Sequence, residues 1–299
     1  MASLKEVKDR IASVKSTRKI TSAMKMIAAS KLRKSQHVIE SFSPYSSKLN
    51  DILINLLASD QTFDSVYAQQ REVKNVIIIA FSSNTSLCGA FNANIIKEVS
   101  STISEYKKKM PIRNITVYPI GKKVARYVDK VEQNSVQHPD YLKMSDKPSF
   151  SFILDLSKEL TTKFLEREVD EIVLVYTHFH STGVQKVVKS VHLPFNLEEV
   201  QQRILKDDNT KKVLKDYILE PSKAELLALL IPKVLASNLF AALLDSNASE
   251  NAARSLAMQI ATDNANDLVQ DLTIEYNKNR QAAITNELLD IIGGAAALS

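Results

Sequence analysis

Glycine and proline are almost missing from both ends of this chain. No glycine precedes Gly89, none falls between Gly183 and Gly293, and Pro44 is the sole proline in the first hundred residues. Inside a helix glycine costs about 1 kcal/mol and proline about 3 kcal/mol relative to alanine, so their absence favours long uninterrupted helices. The sequence therefore predicts a helical arm at each end. The middle differs in texture, with runs such as NVIIIAF (Asn75 to Phe81) and EIVLVYTHF (Glu171 to Phe179) that suit strands. Two distant arms flank a compact α/β segment, and the arms are expected to pair.

In the first arm Leu4, Val7, Ile11 and Val14 follow three-four spacing, and Ile20, Met24, Ile27 and Ala28 extend it after a polar break at Ser16, Thr17 and Arg18. Such a narrow seam suits one partner helix. Pro44 is expected to mark a bend or a new start, after which Leu49, Ile52, Leu53, Leu56 and Leu57 form a wider stripe. The second arm is expected to begin near Pro221, to kink or break at Pro232, and to stop at Gly293 and Gly294. From Leu226 to Leu244 it is strongly apolar. Asp245 to Asp267 is small and polar, the composition of a slender shaft, and Leu268, Leu272, Ile284, Leu288 and Ile291 then restore an apolar stripe on an irregular heptad.

In the middle, Lys74 to Phe81, Asn114 to Ile120 and Asp170 to Phe179 read as buried strands, separated by amphipathic stretches near 90 to 109, 121 to 131 and 150 to 168. That alternation implies a mostly parallel, doubly wound sheet. Gln185 to Phe195 adds a further strand at an antiparallel edge. The first strand-to-helix turn, SSNTSLCGAFN, holds one glycine where a dinucleotide fingerprint needs three, and no P-loop occurs anywhere. Ser82, Ser83, Asn84 and Thr85 suit helix capping more than anion binding. His178 and His180 share a strand face without a third ligand nearby, and Cys88 has no base tied to it by sequence. Lys107, Lys108 and Lys109 end a predicted helix, where they complement its dipole. No catalytic constellation and no cofactor motif is found.

The single cysteine rules out an internal disulfide within these residues. The charged start MASLKEVKDR lacks the apolar core of a secretory signal, and its early Glu6 and Asp9 are unlike a mitochondrial presequence. A soluble or peripheral protein is expected. Residues 1 to 35 hold ten Lys/Arg against two acids, and the remainder holds 29 against 32, so the excess basicity is confined to the first arm. A basic arm of this kind also suits a nucleic-acid-binding protein, although no aromatic residue precedes Phe42 to stack on bases. The sheet alone would suit a nucleotide-dependent enzyme.

Four ordered stretches resemble one family. They are IASVKSTRKITSAMKMIAASKLRKSQ (Ile11 to Gln36), AARSLAMQIATDNA (Ala252 to Ala265), YNKNRQAAIT (Tyr276 to Thr285) and ITNELLDIIGGAAA (Ile284 to Ala297), with Ile284, Thr285, Glu287, Asp290, Gly294 and Ala295 at the pattern positions. The family is the gamma subunit of the rotary ATP synthases, and the resemblance covers the whole architecture. It implies an α plus α/β fold: a long antiparallel coiled coil of residues 1–58 and 209–299, with an inserted Rossmann-like domain at 73–205. It further implies a non-catalytic rotor shaft inside a hexamer of alpha and beta subunits, with a foot touching the epsilon subunit and the membrane c ring. By motif position, Arg254, Arg280, Gln281 and Thr285 resemble contacts to the beta catch loops, and Met24 and Lys25 resemble contacts to the lower collar. Leu288, Leu289, Ile291 and Ile292 resemble the bearing tip, and Tyr217 and Glu220 resemble foot contacts to epsilon or the c ring. The expected location is the cytoplasmic face of a bacterial plasma membrane, peripheral, or the matrix side of a mitochondrial inner membrane as a mature chain. The cysteine pair of photosynthetic members is missing, which excludes their redox control.

Overall fold

The computed structural model describes residues 3–58, 66–69, 71–109, 114–131, 134–195, 220 and 222–298. In chain order its elements are α1 (Leu4–Ala58), a single 3-10 turn (Val66–Ala68), β1 (Asn75–Phe81), α2 (Phe91–Lys109), β2 (Asn114–Ile120), α3 (Lys122–Lys130), α4 (Pro139–Asp146), α5 (Phe150–Leu165), β3 (Glu171–Phe179), β4 (Gln185–Leu193) and α6 (Lys223–Leu298). They form two compact units. One comprises Met1–Ala29 with Arg254–Ser299, the other Ser30–Ala253, so α1 and α6 contribute residues to both.

In the sheet-bearing unit the strands lie in the order β2-β1-β3-β4. β1 pairs in parallel with β2 and β3, and β4 joins β3 antiparallel, the mostly parallel sheet with an antiparallel edge that the sequence suggested. β1 is central, and six of its seven residues are buried, which explains its unbroken Val/Ile run. Alternate residues face opposite ways. Val76, Ile78 and Ala80 pack with Ile95 and Val99 of α2 and Val124 and Val128 of α3. Ile77, Ile79 and Phe81 join a larger cluster with Ile153, Leu160 and Phe164 of α5, Leu53 and Leu56 of α1, and Val234, Leu239 and Leu243 of α6. Phe42 and Phe150 each meet Phe240 of that cluster edge-on, at centroid distances of 5.0 and 5.3 Å. One eighteen-residue window of α6 has a mean hydropathy of 2.0, enough for a membrane span by composition, but 61% of it is buried in this core.

The helix pair of the other unit runs antiparallel. Arg18 Nη1 donates to Asn266 Oδ1 at 3.1 Å, and one turn on the Thr21 and Thr262 hydroxyls lie 2.8 Å apart. Burial in α1 recurs every seven residues at Val7, Thr21 and Ala28, with Leu4, Ile11, Val14, Arg18 and Lys25 half-buried on the same stripe. In α6 it recurs at Met258, Ala265 and Leu272. A heptad seam is therefore present, built largely from small and polar residues. The expected continuation through Ile20 and Ile27 is wrong, since both are 58% exposed; the supposed polar break at Arg18 lies on the seam itself. The same holds for α6, where Leu272 of the expected apolar stripe is buried and Leu268, Ile284, Leu288 and Ile291 are exposed.

Several expected helix boundaries also change. α1 continues through Pro44 and α6 through Pro232, because the residues on either side are held by the core: Phe42 and Leu49 in one case, Ile231 and Val234 in the other. That packing offsets the roughly 3 kcal/mol that a buried-in-helix proline costs. α6 starts at Lys223, where Ser222 Oγ accepts the Glu225 N–H at 3.3 Å as an N-cap. Pro221, the expected start, lies outside the described residues. At the far end the helix passes Gly293 and Gly294 and runs to Leu298, carried by the alanines at 295 to 297. The short α4 was not anticipated. His138 Nδ1 caps it at 3.2 Å from the Asp140 N–H, and Pro139 opens its first turn.

Candidate functional site

Doubly wound sheets bind ligands at the carboxyl ends of their strands, at the switch point where the chain changes direction across the sheet. Here that point lies between β1 and β3, and it is filled by the protein itself. Ser82 Oγ accepts the Val124 N–H at 3.1 Å, Asn84 Oδ1 accepts the Lys122 N–H at 3.0 Å, and the Ser83 carbonyl accepts the Lys123 N–H at 3.2 Å. Ser82, Ser83 and Asn84 of the expected capping residues thus cap α3, the helix after β2, and use the donors that an anion would need, while the Thr85 carbonyl accepts the Ser83 hydroxyl instead. From the other side, Ser249 Oγ of α6 donates to the Thr177 carbonyl at 3.0 Å, and Asn247 Nδ2 donates to the Ser145 carbonyl at 2.8 Å. The void left among Phe81, Ser82, Ile120, Ser145 and Leu243 is about 10 Å³, room for one water and far below a nucleotide.

The other sequence candidates resolve similarly. Cys88 is 2% exposed and its sulfur accepts the Asn92 amide at 3.0 Å. His178 Nδ1 lies 2.6 Å from Asp245 Oδ2, and burial pushes the Asp245 carboxyl up against the opposing pull of the His178 hydrogen bond and charge. Among the described residues no group of three His, Cys, Asp or Glu side chains converges as metal ligands would. A hollow of about 260 Å³ lies at the opposite, amino-terminal ends of β1 and β2, lined by Asn75, Asn114, Thr116, Lys163 and Glu168 among others. In it Lys163 Nζ donates to the Tyr118 hydroxyl at 2.7 Å.

The surface of the helix-pair unit is a different kind of candidate. Carrying the Thr21–Thr262 register to Leu4 ends the overlap near residue 280 of α6, and of residues 281–293 only Ala283 is even half-buried. Ile284, Leu288, Leu289, Ile291 and Ile292 are 48 to 67% exposed on that single-helix stretch. Residues 3–29 carry seven Lys/Arg against two acids, whereas 254–298 carry three against six, so the two strands of the pair are complementary in charge.

Residues 3–298 match the sequence profile of the family described as ATP synthase. The ATP synthase gamma chain of Bacteroides fragilis is 54% identical over 99% of this chain and all of its own length, and that of Bacteroides thetaiotaomicron is 52% identical over 99% of each. The chain belongs to the ATP synthase gamma-chain family. In fold it is similar to a chain of the Euglena gracilis mitochondrial ATP synthase, solved as OSCP/F1/c-ring in rotational state 3, with a TM-score of 0.62, 20% identity, and 99% and 94% of the two chains covered.

The gamma-family motif residues can now be located. Arg280, Gln281 and Thr285 are exposed on α6, and Thr285 Oγ1 donates back to the Gln281 carbonyl at 2.9 Å, so the last two share one stripe. Arg254 is half-buried and about 39 Å away along the same helix, taking 1.5 Å per residue. Lys25 is half-buried on the seam and Met24 is half-buried beside it. Leu288 and Ile291 form one exposed ridge, and Leu289 and Ile292 form the next. Glu220 is exposed, and Tyr217 lies outside the described residues. The sequence reading missed the seam polars Arg18, Thr21, Thr262 and Asn266 and the crevice residue Asn247. A strict seven-residue count from Val7 and Leu4 would have found Thr21 and Arg18.

Proposed function

We propose that the chain is the central rotor shaft of a proton-translocating F-type ATP synthase, coupling rotation of a membrane c ring to nucleotide chemistry in an alpha3beta3 hexamer. The observation that carries this is identity above 50% to gamma chains along the whole length of both sequences. The filled crevice and the exposed helical end support it, since a shaft needs outward surfaces more than a pocket. Residues 1–58 and 209–299 serve as the shaft and 73–205 as the foot, and Tyr217 and Glu220 make the foot contacts to epsilon or the c ring. Arg254, Arg280, Gln281 and Thr285 face the beta catch loops, Met24 and Lys25 face the lower collar, and Leu288, Leu289, Ile291 and Ile292 turn in an apolar bearing. Exposed polar contacts of this sort are each worth roughly 0 to 1 kcal/mol, weak enough to break on every turn. The assembly is peripheral, on the cytoplasmic face of a bacterial plasma membrane.

The test is a reversible tether. A Gln281→Cys chain assembled with alpha and beta subunits is cross-linked to a cysteine on a beta catch loop; native Cys88, being buried, stays out of the reaction. Hydrolysis is expected to fall more than tenfold and to return on reduction. Full multi-turnover hydrolysis with the cross-link intact would overturn the reading.

A further inference from the structure

The contact between α6 and the carboxyl edge of the sheet is built unlike the rest of the core. Ala248 and Ala252 of α6 are fully buried there against Leu32 of α1, so α6 itself offers only methyl groups to this contact. Apolar contact is non-directional and resists separation better than sliding. Resistance to sliding must come from directional bonds, and one side chain joins two different elements through them. Asn247 Oδ1 accepts the Ser35 hydroxyl of α1 at 2.6 Å, while its Nδ2 donates to the Ser145 carbonyl of α4 at 2.8 Å. Ser145 in turn donates through Oγ to the Ser82 carbonyl at 2.7 Å, and the Ser82 N–H donates to the Ile120 carbonyl at 2.7 Å. One amide therefore stands in a continuous path from α1, through α6 and α4, to β1 and β2. Ser249 to Thr177 and Asp245 to His178 are the flanking attachments to β3.

We infer that Asn247 is a positioning residue that keeps the sheet and the paired helices in register under load, so that torque crosses this junction without angular slack. The inference rests on the rotor reading above. Only an amide serves: the site needs an acceptor toward Ser35 and a donor toward a backbone carbonyl at the same time. Asn247→Asp keeps the first and loses the second, and Asn247→Leu keeps the volume and loses both.

The experiment uses the assembled alpha, beta and gamma complex with a probe on an introduced cysteine at exposed Ser104, on α2. The angular spread of the probe during pauses between ATP-driven steps reports the stiffness of the junction, which a general loss of stability would leave unchanged in molecules still turning. Asn247→Leu is expected to raise the angular variance at least twofold, with Asn247→Asp in between. A wild-type variance in Asn247→Leu overturns the inference. Should that variant not assemble, Ser35→Ala decides in the same way, a broader spread supporting the junction and an unchanged one overturning it. A parent complex whose probe never rotates would instead sink the rotor reading.

Discussion

The two compact units use apolar residues in opposite ways. The sheet-bearing unit encloses its large side chains, with Tyr118, Phe81, Phe164 and Ile153 all at 1% exposure or less. The helix pair buries Val7, Thr21, Ala28, Met258, Ala265 and Leu272, while twelve of its large hydrophobic residues are exposed. Where burial inside the chain dominates, sequence and fold explain each other. Where the apolar surface faces outward, the residue choice answers to something outside the chain, and isolated stability is no guide to it.

Glycines give the sharpest way to break this contrast, and Gly121 carries the largest expected effect. Its φ is +108°, and an added Cβ would lie 2.1 Å from the Ser82 carbonyl oxygen, a backbone atom held by β1. Strain at such a φ costs about 1 to 3 kcal/mol before the clash is counted. Gly121→Ala should therefore cost the sheet-bearing unit several kcal/mol in denaturant unfolding; a loss under about 1 kcal/mol would mean the loop is not held as described. His192 gives the next effect. Burial pushes its imidazole down to about 4 from 6.5, so the folded state prefers the neutral form. Between those values the unfolded chain binds more protons, and stability present at pH 7 falls as the pH drops from about 6.5 toward 4, by on the order of 3 kcal/mol in full. His192→Leu should flatten that part of the pH profile. An unchanged acid slope in the variant would assign the loss to other groups.

The same contrast explains what could be read beforehand. Strand positions, the mostly parallel pairing and the antiparallel edge follow from Val/Ile runs that pack in the chain's own core and were legible in the sequence, whereas the strand order β2-β1-β3-β4 was not. The seam was misread because it carries Arg18, Thr21 and Lys25 where an apolar residue is the usual sign, while Ile20 and Ile27 point away from it. At the prolines the new start or break that local propensity allows does not occur, because tertiary packing carries the helices on through Pro44 and Pro232. The filling of the switch point by Ser246 to Ala252 left no local trace at all, since small polar residues on a helix read equally well as an exposed shaft; only the fold shows Ser246, Ala248, Ser249, Asn251 and Ala252 to be buried.

Gly293 marks the small end of the scale and the more informative one. It is helical, it has no φ constraint, and a Cβ there would meet nothing within 4 Å. By helix propensity, Gly293→Ala gains up to about 1 kcal/mol locally. Because its neighbours from Ile284 to Ile292 are exposed, that gain should appear as slightly more helix near the end, with unfolding of the sheet-bearing unit unchanged within about 0.5 kcal/mol. The decisive comparison is between the free chain and the assembled complex. If alanine is harmless to the first and slows turnover of the second, the demand for glycine comes from a surface that closes on this helix, as the outward-facing residues of this unit suggest. If turnover is also unchanged, Gly293 is an ordinary helical position, and the contrast with Gly121 reduces to backbone geometry alone.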